Sequence, residues 1–120
     1  KWMDGRRRVA AWYNELLAGL PVATPREVGD VRHAYYMYTI RTPHRDALIA
    51  YLAHRGIGSQ AMYPLEVPYQ PAYAHLGHTP GDFPVADAQV HEILCLPMYP
   101  ELQHEEAQEV ARAIGDFFAA

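Results

Sequence analysis

The sequence predicts an α+β domain, a two-layer sandwich in which a small three-stranded sheet carries helices packed on one face. Three observations predict it. Apolar residues near both ends of the chain recur at i, i+3, i+4 spacing, the mark of amphipathic helices. Three short β-favouring or apolar runs lie between those ends. The elements follow the order αβαβ, a long loop, then αβα, so strands alternate with helices able to cover one side of a sheet.

Val9, Trp12, Tyr13, Leu16, Leu17 and Leu20 form one stripe of a helix expected from Asp4 to Leu20, stopped by Pro21. Residues 21–32, with two prolines, Gly29 and mixed charges, read as a connecting loop. Residues 33–41 (HAYYMYTIR) are rich in aromatic and β-favouring side chains without a breaker, and predict a buried strand. Thr42 and Pro43 suit a helix start, Leu48, Tyr51 and Leu52 share one face, and Gly56 ends that helix. Residues 57–62 read as a short strand or extended segment.

Residues 63–84 hold five of the ten prolines and predict a long irregular loop. Tyr63, Tyr69, Tyr73 and Phe83 argue that this loop is ordered rather than solvated coil. Pro84 opens a short helix to about residue 93, and residues 93–96 (ILCL) are a buried strand. Ala107, Val110, Ala111, Ile114, Phe117 and Phe118 stripe a final helix. Its acidic start, Glu101, Glu105 and Glu106, matches the positive end of the helix dipole.

The 120 residues make one domain, large enough for a self-sufficient core. A net charge of −4 sets a nucleic-acid partner aside, because phosphate backbones select a basic excess. No apolar run approaches the ~20 residues that a membrane-spanning helix needs. The single cysteine, Cys95, excludes an internal disulfide or multi-cysteine zinc module, and its apolar neighbours predict an inert buried thiol. The only lysine is Lys1, so chemistry that needs a lysine in a pocket is out of reach of this chain by itself. The sequence opens inside a helix, which marks the chain as an expected fragment or isolated domain.

Three clusters are candidate sites. His75 and His78 lie three apart, a spacing that a metal can share, but such a site needs further ligands. Arg6, Arg7 and Arg8 point about 100° apart on a helix and cannot all face one ligand, so they read as a solvated face from which one could still reach an anion. Nine tyrosines against three phenylalanines suggest aromatic surfaces whose hydroxyls want partners. Those of the proline-rich loop could line a binding edge or simply pack the loop.

The run IGSQAMYPLEVPYQPAY at 57–73, followed by GDFPVADAQVHEILCLPMYP at 81–100, resembles the small C-terminal domain of the DegT/DnrJ/EryC1/StrS sugar aminotransferases. Gly56, Ile57, Ser59, Tyr63, Pro64, Gln70, Pro71, Ala72 and Tyr73 fall on the family pattern, as do Gly81, Asp82, Pro84, Leu96, Pro97 and Pro100. Residues 35–41 resemble its first small-domain strand, and residues 6–17 the helix that links its two domains.

The resemblance implies the small domain of an aspartate-aminotransferase fold, with 1–20 as linking helix and 21–120 as small domain. An N-terminal large domain would carry pyridoxal phosphate and its Schiff-base lysine. The resemblance further implies a cytoplasmic homodimer, a sugar or nucleotide-sugar substrate, and a small domain that closes the cleft but is inactive alone. It makes Tyr63, Gln70, Tyr73 and Met62 the substrate-binding candidates. Two loop histidines of the family fall on Met62 and Pro68, its intervening proline on Glu66, and a strand histidine on Tyr36, which leaves the substrate open. Trp2, Met3 and Val9 are expected to face the absent large domain. The rival readings are a stand-alone ligand-binding or regulatory module, and a small metal-binding domain using His75 and His78.

Overall fold

The structure is a computed structural model and describes residues 1–120. Its elements are helix α1 (Trp2–Leu16), strand β1 (Tyr38–Arg41), helix α2 (Arg45–His54), helix α3 (Pro84–Val90), strand β2 (Ile93–Leu96) and helix α4 (His104–Ala119). Two 3-10 turns, Val67–Tyr69 and Pro71–Leu76, lie in the long loop between α2 and α3.

The sheet has two strands and not three. β1 and β2 run antiparallel, with Tyr38 opposite Leu96 and Ile40 opposite Leu94. Outside them stand single bridges, Ala23 to Arg41 on one edge and Gln60 to Cys95 on the other. The extended segment 57–62 therefore meets the sheet at one residue. Gly58 and the proline-rich run beyond it give no continuous β-favouring stretch to extend the ladder.

The sheet's two faces differ by strand alternation. Tyr38, Ile40, Leu94 and Leu96 are buried beneath the helices. α1 and α4 pack together, and α2 packs against α4. Val9, Tyr13 and Leu17 from α1, Leu48 and Leu52 from α2, and Ala107, Val110, Ala111 and Ile114 from α4 complete one core. Thr39, Arg41, Ile93 and Cys95 alternate to the other face, and none of them is buried.

The buried phenols find partners, as apolar burial requires. Tyr13 Oη donates to the Pro97 carbonyl at 2.9 Å, and Tyr38 Oη donates to Asn14 Oδ1 at 2.6 Å. Burial pushes both phenols well above their ordinary pKa. Buried Arg45 donates to the Val90 carbonyl at 3.1 Å, tying the start of α2 to the end of α3. α4 starts with a capping box: the Gln103 N–H donates to Glu106 Oε2 at 2.8 Å, and the Gln103 side chain caps the N–H of Glu106 in return.

Several boundaries differ from the sequence expectation. α1 ends at Leu16 because the chain turns through Gly19 at φ 83° before Pro21 is reached. Residues 33–37 are not strand. Tyr35 sits at φ 46°, and its N–H is taken by His33 Nδ1 at 2.8 Å rather than by a neighbouring strand. α2 begins at Arg45, since Thr42 Oγ1 accepts the His44 N–H and closes a turn before the helix. Val9 is fully buried in the core and faces no missing domain, whereas Trp2 and Met3 are exposed.

Gly5 is the closest approach in the fold. A Cβ there would stand 2.8 Å from Pro100 Cβ and 2.9 Å from the Pro100 carbonyl oxygen. The missing side chain lets α1 rest directly on the segment that follows β2. That contact holds the start of α1 against the segment that follows β2.

Candidate functional site

The uncovered side of the sheet and the loop that follows α2 share one surface. No residue from Gly58 to Gln89 is buried, so this stretch is held by polar contacts and turns rather than by the core. Gln60 pairs with Cys95 through both backbone bonds, N–H to carbonyl at 3.4 Å and the return bond at 2.9 Å. That pins the loop's start to β2.

Asp87 on α3 pins the far half. Its Oδ1 accepts the Tyr69 hydroxyl at 2.8 Å, and its Oδ2 accepts the Gly81 N–H at 2.6 Å. Phe83 lies against the rings of Tyr69 and His78, with centroids 6.1 and 5.0 Å away. Asp82 adds a bond from the Thr79 N–H at 2.9 Å. The aromatics that predicted order in this loop are thus its internal packing, except for Tyr63 and Tyr73.

Met62, Tyr63 and Gln70 come together with Pro64, Leu65, Pro71 and Ala72 around a hollow of about 360 Å³. Tyr73 does not join them. It is exposed and lies outside this hollow, although its N–H donates to the Gln70 carbonyl at 2.8 Å. Tyr63 also borders a groove between the loop and α3, lined by Leu65, Val67, Ala86 and Val90.

A larger cleft of about 470 Å³ opens beside it, and Met62 stands on the border of both. Arg6, Tyr36, Met37, Gly58, Ser59, Gln60, Cys95 and Met98 line it. Cys95 is half-buried here rather than enclosed, with Thr39 Oγ1 3.3 Å and Met37 Sδ 3.9 Å from its sulfur. The sequence did not mark this cleft, because its walls come from chain segments some ninety positions apart, from Arg6 to Met98. The arginine triplet was the one visible signal.

The three arginines separate as helical geometry requires. Arg7 donates two bonds to Glu27, while Arg8 lies over Trp12 and donates to the Pro100 carbonyl at 3.1 Å. The Arg7 guanidinium and the His33 N–H hold the Glu27 carboxyl down to about 2. Arg6 turns to the cleft, over the ring of Tyr36. His75 sits on the second 3-10 turn, and His78 faces Asp82 with Nδ1 3.6 Å from Oδ2. No three His, Cys, Asp or Glu side chains gather into a metal-holding group, so these histidines lack the ligands that the metal reading needs. No helix is long and apolar enough to cross a membrane.

This helix-backed sheet with its long proline-rich loop recurs in solved aminotransferase structures. The structure of S. venezuelae DesV in complex with a ketimine intermediate superposes with a TM-score of 0.91 at 34% identity, over 97% of this chain and 32% of that one. A DegT DnrJ EryC1 StrS aminotransferase from Brucella abortus gives a TM-score of 0.89 at 34% identity, over 99% of this chain and 32% of that one. The profile of the DegT/DnrJ/EryC1/StrS aminotransferase family matches residues 1–115, and the chain belongs to that family.

Among curated relatives, a pleiotropic regulatory protein of Geobacillus stearothermophilus is 42% identical over 98% of this chain and 32% of its own length. A UDP-N-acetyl-3-dehydro-alpha-D-glucosamine 3-aminotransferase of Acidithiobacillus ferrooxidans is 38% identical over 92% of this chain and 30% of its own length. The chain therefore spans about a third of the relatives it matches.

Proposed function

We propose that these residues form the C-terminal small domain of a pyridoxal-phosphate-dependent sugar aminotransferase, with 1–20 as linking helix and 21–120 as the domain that closes one side of the substrate cleft. The observation that carries this reading is the family match over residues 1–115, joined to relatives of which the chain covers about a third. Tyr63, Met62 and Gln70, gathered at one hollow, are the substrate contacts, and Tyr73 contributes from the exposed side of the same loop. The substrate is a sugar or nucleotide sugar. The whole enzyme is a cytoplasmic homodimer whose N-terminal large domain holds the cofactor.

Pyridoxal phosphate supplies an electron sink for amino transfer when a lysine anchors it. The residues present here do not fit that task. The only lysine is Lys1, which is exposed and is not among the residues that line the hollows described above. This domain is accordingly inactive alone, and its part is to shape and close the cleft.

The test is a chimera in which residues 1–120 replace the corresponding third of the Acidithiobacillus aminotransferase. Amino transfer is expected from the chimera and not from the 120-residue chain by itself. Turnover by the isolated chain, or a folded, cofactor-loaded chimera without any transfer activity, overturns the reading.

A second reading is favoured by one observation: the relative at 42% identity is named as a regulatory protein. In that case the same domain serves a ligand-responsive protein of the family. Binding of a nucleotide sugar by the chimera without amino transfer would select it.

A further inference from the structure

The cleft at the start of α1 contains a charge that nothing in the chain neutralises. Arg6 is half-buried on its wall, and its Nε is shut from water without a hydrogen-bond partner. Of the other arginines that are less than exposed, Arg7 donates to Glu27 and the His33 carbonyl, and Arg45 donates to the carbonyls of Val90 and Ile93 while its Nε, also without a hydrogen bond, lies 2.5 Å from the Asp46 carboxylate. Arg32, Arg41 and Arg55 pair with Asp4, Glu92 and Asp116 at the surface. Arg6 has only the Tyr36 ring, whose centroid lies 5.9 Å from its Cζ. A guanidinium stacked on an aromatic face keeps its outer N–H groups free for a planar or tetrahedral anion.

Neutral groups that line the same cleft repeat the pattern. Ser59 Oγ is also buried and unpartnered. The Gly58 and Ser59 N–H groups make no hydrogen bond within the chain, although Gln60, the next residue, uses both of its backbone groups. Two orphaned polar side chains on one cleft are costly unless something completes them, because buried donors without partners lose their water for no return. Three thioethers, Met37, Met62 and Met98, line the same cleft and give it an adaptable apolar surface. At about 470 Å³ the cleft is larger than one anionic group and matches a small molecule.

We propose that this cleft is a binding site for a small molecule ending in a carboxylate or a phosphate, with Arg6 as the charged partner, Ser59 as a hydroxyl partner, and the three methionines against the remainder of the ligand. The site rests on this chain's own residues. It stands or falls separately from amino transfer, since a chain that binds the anion while the chimera fails would break only the catalytic reading.

The test titrates the 120-residue chain with sodium pyrophosphate and, in a second series, with sodium glutarate, following backbone amide shifts by NMR. Saturable shifts centred on Ser59, Gln60 and Cys95 are expected with at least one probe. The probe that binds more tightly identifies phosphate or carboxylate as the recognised group. Arg6→Met is expected to weaken binding about tenfold or more, as loss of a charge-assisted contact does. Arg6→Lys is expected to keep part of the affinity, since it preserves the charge without the fork. Arg112→Met, which removes the same charge from an exposed and unpaired site on α4, is expected to leave binding unchanged. The proposal is overturned if neither probe saturates, if the shifts fall elsewhere, or if folded Arg6→Met and Arg112→Met lose affinity alike.

Discussion

The two sides of the small sheet are built on different physical terms. On the helix-backed side, Tyr38, Ile40, Leu94 and Leu96 are buried, and their neighbours come from every long helix. On the open side, Cys95 and Met37 are half-exposed, and the segment that runs beside them has no buried residue from Gly58 to Gln89. One side is closed by apolar area and tolerates no vacancy. The other is held by a few directed hydrogen bonds, through Gln60 and Asp87, and leaves its aromatic and thioether groups available. Apolar burial and directed polar contacts thus fall on opposite faces of two four-residue strands.

The comparison breaks most visibly if the helix-backed side proves soft. Leu94→Ala or Ile114→Ala, each at a fully buried position, is expected to cost about 2–5 kcal/mol, read as the urea midpoint at constant slope. Next in size is Gly5→Ala. The added methyl meets Pro100 at 2.8 Å, and the strain is expected to cost about 1–3 kcal/mol and to shift amides on both α1 and the 97–100 segment. A Gly5→Ala protein as stable as the parent would mean that α1 does not rest on Pro100.

On the open side the same measurements should barely move. Asp87→Ala removes the acceptor of Tyr69 and Gly81, and about 1 kcal/mol of global stability is the expected loss. Hydrogen exchange should nevertheless rise across residues 69–83 while α4 keeps its protection. Equal loss of protection in both regions would erase the distinction between the faces.

The smallest effect is a pH dependence at the edge. The Glu27 carboxyl is held down to about 2, below its unfolded value near 4. A depressed acid contributes above its unfolded pKa, and the contribution is lost as pH falls through the folded one. The Arg7–Glu27 clamp should therefore be complete at neutral pH and open between about pH 4 and 2, seen as movement of the His33 amide resonance. A Glu27 titration midpoint near 4 would contradict it.

Much of the helix-backed side was legible in the sequence. The stripes of α1 and α4 follow helical periodicity, Pro84 and Gly56 mark their helix ends, and β2 occupies the four residues the apolar run predicts. The misread segments share a cause. In 33–37 the residue types favour strand, but Tyr35 enters the left-handed region and His33 captures its N–H, a local exchange that propensity does not register. In 57–62 the residues are extended, yet one bridge is all the sheet supplies. On the open side, Met62, Tyr63 and Gln70 were legible because they crowd one loop, while Tyr73 stands apart from their hollow. Arg6 and Ser59 line one cleft from distant parts of the chain, and no sequence spacing announces a juxtaposition made by tertiary structure.

The two pins of the long loop have a consequence for how such a domain can change over time. Gln60 is fastened to Cys95 and Tyr69 to Asp87, so the stretch from Ala61 to Pro68 is a short span between fixed posts. Shortening the free span lowers the entropy lost when it orders. No side chain within it is buried, and replacements there leave the core intact. Met62, Tyr63 and Glu66 can therefore be exchanged one at a time without endangering the fold. Ancestry can rewrite the chemistry of this surface while inheriting, unaltered, the scaffold that presents it.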